Sequence, residues 1–194
     1  MGELGKRERR KAATRLAIID AAVALAYTHG FDRTTVEGIA AEAGVSPATV
    51  FNYFPSKADI FFADAGLYRV SEPFAPRATP WQTVAEAVAA TLFRADWTRS
   101  IADPVTRMRF AVVRREPELA ARQAALMFRE VPVIAVALRR AHPDLSPTAA
   151  LTVSGAAVGA VHAVVAHGHD DLERGLREAL AALTERGRSG EDPR

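Results

Sequence analysis

The sequence predicts an all-α protein of about nine helices, arranged as an N-terminal three-helix domain and a larger C-terminal helical domain. Three observations carry this prediction. Almost half of the residues are apolar and alanine is abundant, which favours helices over disorder. Runs of β-branched and aromatic residues between turn signals, which mark strands, do not occur. Helix start and stop signals recur along the whole chain.

The N-terminal helices follow from apolar spacing and from capping residues. Residues 14–30, "TRLAIIDAAVALAYTHG", repeat apolar side chains at helical spacing, and Gly30 stands where a terminating glycine is common. Thr34 with Glu37 forms a capping-box pattern for a second helix. The glycine at 44 then permits a sharp turn before Ser46 and Pro47 open a third helix. Pro55 ends that helix, and Ser56 with Asp59 caps a fourth over "KADIFFADAGLYRV".

Prolines and caps also divide the C-terminal part. A linker is predicted at Pro73, Pro76 and Pro80, and further helices begin at Thr79-Pro80, Asp103-Pro104, Ser146-Pro147 and Asp170. One helix is predicted from Pro117 to Ala141, kinked near Phe128 by Pro132, and the last helix is predicted to end at Gly187. The predicted domains are a basic flexible arm (1–10), the N-terminal domain (11–70), the C-terminal domain (75–187) and a disordered tail (188–194).

Composition removes several classes of protein. The chain has no cysteine, which excludes disulfides and thiolate metal sites. The irregular spacing of His162, His167 and His169 predicts no metal site. No nucleophile, base and oxyanion site stand together, so we expect no enzyme, no catalytic residues and no cofactor. The opening residues lack an apolar signal segment, and the uncharged stretch 147–168 favours a buried helix over a membrane span. We expect a cytoplasmic protein.

Charge and turn geometry together indicate nucleic acid. The net charge is only +2, but residues 1–15 hold six basic residues and two acidic ones, and basic arms often lie along phosphates. Two short helices joined by a glycine turn form the shape that places a reading helix in the major groove. Small outward residues (Ser46, Pro47, Ala48) let that helix approach the groove floor. We expect Thr49 and Asn52 to contact phosphates or base edges, and Tyr53 and Lys57 to contact phosphates.

At these residues the sequence resembles a known family. "TTVEGIAAEAGVSPATVFNYFPSKADI" is similar to the DNA-binding domain of the tetracycline-repressor (TetR) family, and the resemblance covers about residues 11–65. It implies phosphate contacts from Thr35, Thr49, Tyr53 and Lys57, and base contacts from residues 46–48. Phe51 stands where the family usually has Tyr, which implies a missing hydroxyl contact to DNA. Ala26 stands where Phe is usual, which leaves packing for Tyr27 or Phe31 to complete.

A dimer interface is expected in the last two helices. Small residues around Gly155 and Gly159 permit close approach of another helix, and a leucine stripe follows (Leu172, Leu176, Leu180, Leu183). One two-fold interface would bury both helices in a four-helix bundle. Packing of both helices inside one chain is the alternative.

An effector site is expected among large apolar residues, namely Phe62, Trp81, Phe93, Trp97, Met108, Met127 and Phe128, with His162 or Arg109 as a polar anchor. For most of them a plain core role is the alternative. The stretch "RMRFAVVRREPELAAR" (107–122) resembles actinobacterial TetR regulators associated with mycofactocin, some of which bind long-chain acyl-CoA. That resemblance implies a hydrophobic or amphipathic effector, acyl-CoA-like in chemistry.

The function predicted from these patterns is transcriptional regulation without catalysis. A homodimer would repress by occupying a pseudo-palindromic double-stranded operator, and a small apolar ligand would release it. The alternative is a DNA-binding regulator that is constitutive or answers to a protein partner.

Overall fold

A computed structural model describes residues 2–63, 74–92, 103–168 and 171–189, and these residues form helices and turns without strands. The ten helices of the described ranges are α1 (Gly2–His29), α2 (Val36–Glu42), α3 (Pro47–Tyr53), α4 (Lys57–Phe61), α5 (Pro80–Leu92), α6 (Pro104–Arg115), α7 (Pro117–Phe128), α8 (Val131–Ala141), α9 (Pro147–His167) and α10 (Leu172–Ser189). The all-α prediction is confirmed.

The N-terminal unit comprises the described residues up to 63 together with residues 103–119. Helix α1 packs against α2, α4 and α6, and α2 packs against α3. Its core includes Ile18, Val23, Ile39 and Val50, each at most 1 % exposed. Of the two residues expected to complete the packing beside Ala26, only Phe31 is buried. The Phe31 ring is buried, with its centroid 5.4 Å from that of Phe61, whereas Tyr27 is exposed.

Two helix starts in this unit differ from the sequence prediction. Residues 2–10, predicted as a flexible arm, continue α1, because Glu, Lys, Arg and Leu are good helix formers and no proline interrupts them. The N-cap of α2 is Thr35, whose side chain accepts a hydrogen bond from the Gly38 amide. Thr34 is not the cap. Its buried hydroxyl donates to the Gly30 carbonyl oxygen at 2.9 Å.

The C-terminal unit comprises residues 74–92, 120–168 and 171–189 of the described ranges. Helix α5 packs against α8, α9 and α10, and α9 packs against α8 and α10. Thr79 and Gln82 form a reciprocal cap at the start of α5, in which each side-chain oxygen accepts from the other residue's amide. At the start of α10 the capping oxygen belongs to Asp171, which accepts from the Arg174 amide. The predicted start, Asp170, lies outside the described residues.

The segment predicted as one kinked helix, 117–141, is two helices. α7 ends at Phe128, and α8 begins at Val131 after a two-residue turn. Pro132 occupies the first turn of α8, where its missing amide hydrogen costs no helical hydrogen bond. The proline therefore starts a helix instead of bending one, which adds one helix to the expected nine.

Three further boundaries differ from expectation. Residues 103–119, expected in the C-terminal domain, cluster with the N-terminal unit because α6 packs on α1. α4 ends at Phe61, and the rest of the predicted fourth helix (64–70) lies outside the described residues. α10 continues past Gly187 to Ser189, and residues 190–194 also lie outside the described residues.

Candidate nucleic-acid interface

The turn between α2 and α3 is a Schellman motif centred on Gly44. The Val45 amide donates to the Ala40 carbonyl oxygen at 2.9 Å, and the Gly44 amide donates to Ala41 at 3.2 Å. This pattern requires a left-handed residue after the helix, and Gly44 has a φ of +66°. The predicted sharp turn is confirmed, and it fixes the direction in which α3 leaves α2.

Helix α3 is capped and anchored so that one side faces solvent. Ser46 Oγ accepts from the Thr49 amide at 3.1 Å, and Pro47 occupies the first helical position. Val50 is 1 % exposed and anchors the helix in the core. Of the residues predicted to face outward, Ser46, Pro47, Ala48 and Asn52 are exposed, and Phe51 is exposed beside them. A helix surface of mostly short apolar and polar side chains can approach the floor of the major groove.

Thr49 and Tyr53 lie at the margin of this exposed side. Both are half-buried. The Thr49 hydroxyl lies 2.9 Å from the Ser46 hydroxyl, so the two side chains are positioned together. The Tyr53 ring lies beside that of Phe54, with centroids 6.4 Å apart. Phe51 is 53 % exposed and presents an aromatic face that could contact thymine methyl groups.

Two cationic side chains next to α3 have structural roles that the sequence did not predict. Lys57 Nζ donates to the Phe31 carbonyl oxygen at 2.7 Å and lies 4.0 Å above the Phe31 ring. The Arg15 guanidinium donates to the Ala63 carbonyl oxygen at 2.7 Å and lies 4.7 Å above the Phe54 ring. The signal available in the sequence was only that aromatic residues abound in this region. Lys57 has two further donor hydrogens, so its phosphate contact stays a prediction.

One carboxyl group in this unit has a shifted acidity. Partial burial raises the pKa of Asp20 on α1, and repulsion from the charge of Asp103 raises it further. Asp103 is the N-cap of α6, where its carboxylate accepts from the Thr106 amide at 2.8 Å. The pair therefore places two like charges where α1 and α6 pack together.

The residues predicted to bind an effector are divided between the two units. Phe62 is buried and Met108 half-buried in the N-terminal unit, where Arg109 is also buried. Met127 is buried, Trp81 half-buried and Phe128 43 % exposed in the C-terminal unit. Phe93 and Trp97 lie outside the described residues. The His162 ring lies edge-on to Phe128 with centroids 5.8 Å apart, and its Nδ1 is buried without a hydrogen-bond partner.

The predicted dimer residues have two different environments. Leu176, Leu180 and Leu183 are buried within the chain, at most 8 % exposed, where α10 packs on α5 and α9. That part of the stripe belongs to the core of the C-terminal unit, and Leu172 is half-buried. Gly155 and Gly159 are half-exposed, on the side of α9 that faces solvent. Within the single chain, α9 is therefore buried on one side and open to solvent on the other.

The uncharged side of α9 also bears on the question of a membrane. By length and composition alone, α9 is the one helix of the described residues that could cross a bilayer. Seven of its residues are buried in the C-terminal unit, among them Ala150, Ala157 and Val161. Core helices of this composition are common in proteins without membrane spans.

These features define a class of protein. Two short helices meet at a Schellman turn, and the second, capped and anchored, presents an exposed face of mostly small residues, which is the geometry of a helix-turn-helix DNA-binding regulator. Residues 18–63 match the family model described as "Bacterial regulatory proteins, tetR family". The N-terminal part of the chain is therefore a helix-turn-helix domain of the type found in these regulators.

The fold of the chain as a whole is similar to solved structures of such regulators. One is tylp, a TetR regulator from Streptomyces fradiae, with 22 % identity and a TM-score of 0.59 over 91 % of this chain and 87 % of that one. A TetR-family regulator from Streptomyces coelicolor has 21 % identity and a TM-score of 0.53, over 90 % and 94 % of the two chains. A putative TetR-family regulator from Mesorhizobium loti has 18 % identity and a TM-score of 0.51, over 91 % and 98 %. No curated protein sequence matches the chain.

Proposed function

We propose that the protein is a homodimeric repressor that a small, mainly apolar ligand releases from a pseudo-palindromic operator. The observation that carries the proposal is the contrast between the exposed side of α3 and the exposed side of α9. The first has the small polar groups that a DNA groove accommodates. The second has no charge over its whole length and is better suited to another protein surface.

The dimer face consists of the outward side of α9. Thr148, Leu151 and Thr152 are exposed, and Gly155 and Gly159 continue the same side toward the C-terminal end. Helix α8, which packs against α9, adds exposed Val133 and Val136, each more than half exposed. Exposed apolar patches of this kind commonly mark protein interfaces. A two-fold pair of α9 helices would set the separation of the two copies of α3.

The ligand site proposed here centres on His162. An unpartnered buried polar atom costs about 1–3 kcal/mol, and His162 Nδ1 is such an atom, as is Ser154 Oγ on the same helix. Eight residues of helix separate them by about 12 Å. A ligand with an apolar body and one or two hydrogen-bonding groups would satisfy them, with Phe128 packing against the apolar part.

Release follows from linkage between ligand and operator. A ligand shifts DNA binding only by its differential affinity for the two dimer geometries. Coupling of about 1–3 kcal/mol lowers operator affinity roughly 5- to 150-fold, and operator must weaken ligand binding by the same factor. Titration of the protein–DNA complex with hydrophobic compounds, fatty acyl thioesters included, tests this directly.

The matched variants for that titration are two histidine substitutions on α9. His162→Phe keeps an aromatic ring and removes Nδ1, so it should abolish release by ligand while DNA binding stays unchanged. His167→Gln is the control, because the exposed His167 side chain bonds only to its own helix in the described contacts. If no compound releases the wild-type protein from DNA, control by a small ligand is rejected. The protein is then a constitutive or partner-controlled regulator.

A further inference from the structure

The N-terminal part of α1 is a basic helix that extends beyond the packed body of its unit. From Lys6 to Ala13 every side chain is exposed, and the first buried residue after them is Ile18. Residues 6–11 include five basic side chains and one acidic one. Lys6, Arg7, Arg10 and Lys11 share one face, because residues four apart stack along a helix.

We propose that this face, termed the basic extension, binds the phosphate backbone of DNA outside the base pairs that α3 reads. The inference rests on the proposed operator binding and adds a second contact surface to it. Lys6 with Arg10 and Arg7 with Lys11 are like-charge pairs at helical i,i+4 spacing, which is unfavourable in an isolated helix. A polyanion along this face relieves that repulsion.

The position of the basic extension follows from Arg15. Its guanidinium donates to Ala63 and lies over the ring of Phe54, the residue directly after α3. The extension therefore leaves the unit beside the C-terminal end of the reading helix. From Arg15 to Lys6 the helix rises about 14 Å, which corresponds to about four base pairs of duplex.

The chemistry of the surface favours DNA over a lipid membrane. Helices that lie on membranes combine a basic face with a large apolar one. The side of α1 away from the four basic residues bears Glu8 and the small side chain of Ala12. One turn further on, the same side bears a single exposed large apolar residue, Leu16, which is far less than the broad apolar face of a helix that lies on a membrane. A duplex requires only positive charge at this spacing.

The test compares two lengths of one duplex. A binding sequence is first recovered from a random duplex pool with the wild-type protein. Two duplexes are then made from this sequence. The trimmed duplex contains only the two half-sites, and the long duplex has about ten added base pairs on each side, which exceeds the reach of the basic extension. The variant Lys6→Gln/Arg7→Gln/Arg10→Gln/Lys11→Gln removes the charge while Gln preserves helix propensity, and circular dichroism verifies the helix content.

The variant should bind the long duplex about 10- to 100-fold more weakly than wild type, with a salt slope lower by about 2–4 per copy of the chain. Binding to the trimmed duplex should be unchanged. Two controls isolate the site. Arg114→Gln/Arg129→Gln removes exposed charge elsewhere and should still bind the long duplex more tightly than the trimmed one, as wild type does (the length preference). The charge-preserving exchange Lys6→Arg/Arg7→Lys/Arg10→Lys/Lys11→Arg should keep the same preference.

Three outcomes would overturn the inference. The first is an equal loss on both duplexes, and the second is no loss on either. The third is a variant that keeps its length preference but loses affinity for phosphatidylserine vesicles, which would assign the face to lipid. A wild-type protein that recovers no duplex from the pool would instead contradict the proposed function, so the two failures are distinguishable.

Discussion

Apart from Phe51 on α3 and Leu151 on α9, the exposed sides of the two helices consist mainly of small side chains, and they differ in their polar groups. α3 presents Ser46, Asn52 and the backbone of a capped first turn, all of which can hydrogen bond to a hydrated polyanion. α9 presents alanine, glycine, threonine and Leu151, whose hydrogen-bonding capacity is low. Small residues thus permit close approach in both units, and the polar groups beside them decide what approaches.

The largest expected effect concerns the dimer face. A Cβ added at Gly159 would meet no atom within 4 Å, so Gly159→Leu should leave the folded chain stable. In a two-fold interface the leucine of each copy would overpack the contact between the two chains, which costs about 1–3 kcal/mol per copy. Dimer dissociation constants from analytical ultracentrifugation should therefore rise roughly 30-fold to 10⁴-fold.

Ala121→Leu, at an exposed position on α7, is the matched control and should leave dimerisation unchanged. A wild-type protein that sediments as a monomer at micromolar concentration would contradict the interface on α9.

A second prediction separates the cap of α3 from its contact with DNA. Asp is as good an N-cap as Ser, so Ser46→Asp should preserve thermal stability while its charge lowers duplex affinity by about 100-fold or more through repulsion of phosphates. Ser46→Ala should instead lose about 1 kcal/mol of unfolding free energy. Equal duplex affinity for Ser46→Asp and wild type would place this end of α3 away from DNA.

The helix-turn-helix was largely predictable because its signals are local. Gly44, Ser46 and Pro47 each act within one turn of chain, so the sequence predicted the observed start of α3 at Pro47 and an end close to the observed Tyr53. The roles of Arg15 and Lys57 were not predictable, since each bonds to a carbonyl oxygen 48 or 26 residues away. The same limit applies in the C-terminal unit. Whether Leu176 faces a partner or its own core depends on α5, which no periodicity in α10 can reveal.

The bond from Lys57 to Phe31 leads to the third prediction. Lys57→Ala removes a charged hydrogen bond and a cation–π contact, so it should lower the unfolding free energy by about 2 kcal/mol. Lys57→Arg should restore part of it. If Lys57 also contacts phosphate, the salt slope for duplex binding falls by about one unit per copy. Urea unfolding and salt titrations measure the two roles separately, and an unchanged stability would exclude the structural one.

The smallest expected effect is the pH dependence set by Asp20. Its pKa is raised in the folded state by burial and by Asp103, so ionisation of Asp20 opposes folding. The stability that the protonated form contributes is present at low pH and is lost as the pH rises through the folded-state pKa. Asp20→Asn should therefore be more stable than wild type at pH 7.

That difference should disappear once the pH falls below the ordinary pKa of an aspartate. Asp144→Asn, at an exposed turn residue, is the control and should show no such dependence. A constant difference between Asp20→Asn and wild type at all pH values would rule out titration as its cause.

In the proposed dimer, two copies of α3 bind DNA together. Selection of duplexes from a random pool by the wild-type protein, followed by sequencing, tests it most directly. We expect an enriched pseudo-palindrome whose half-sites lie about one helical turn (10 base pairs) apart, or a multiple of that distance. Gly159→Leu, which should weaken the dimer, is expected to enrich it poorly. Enrichment of a single unpaired half-site, or of no sequence at all, would contradict the account.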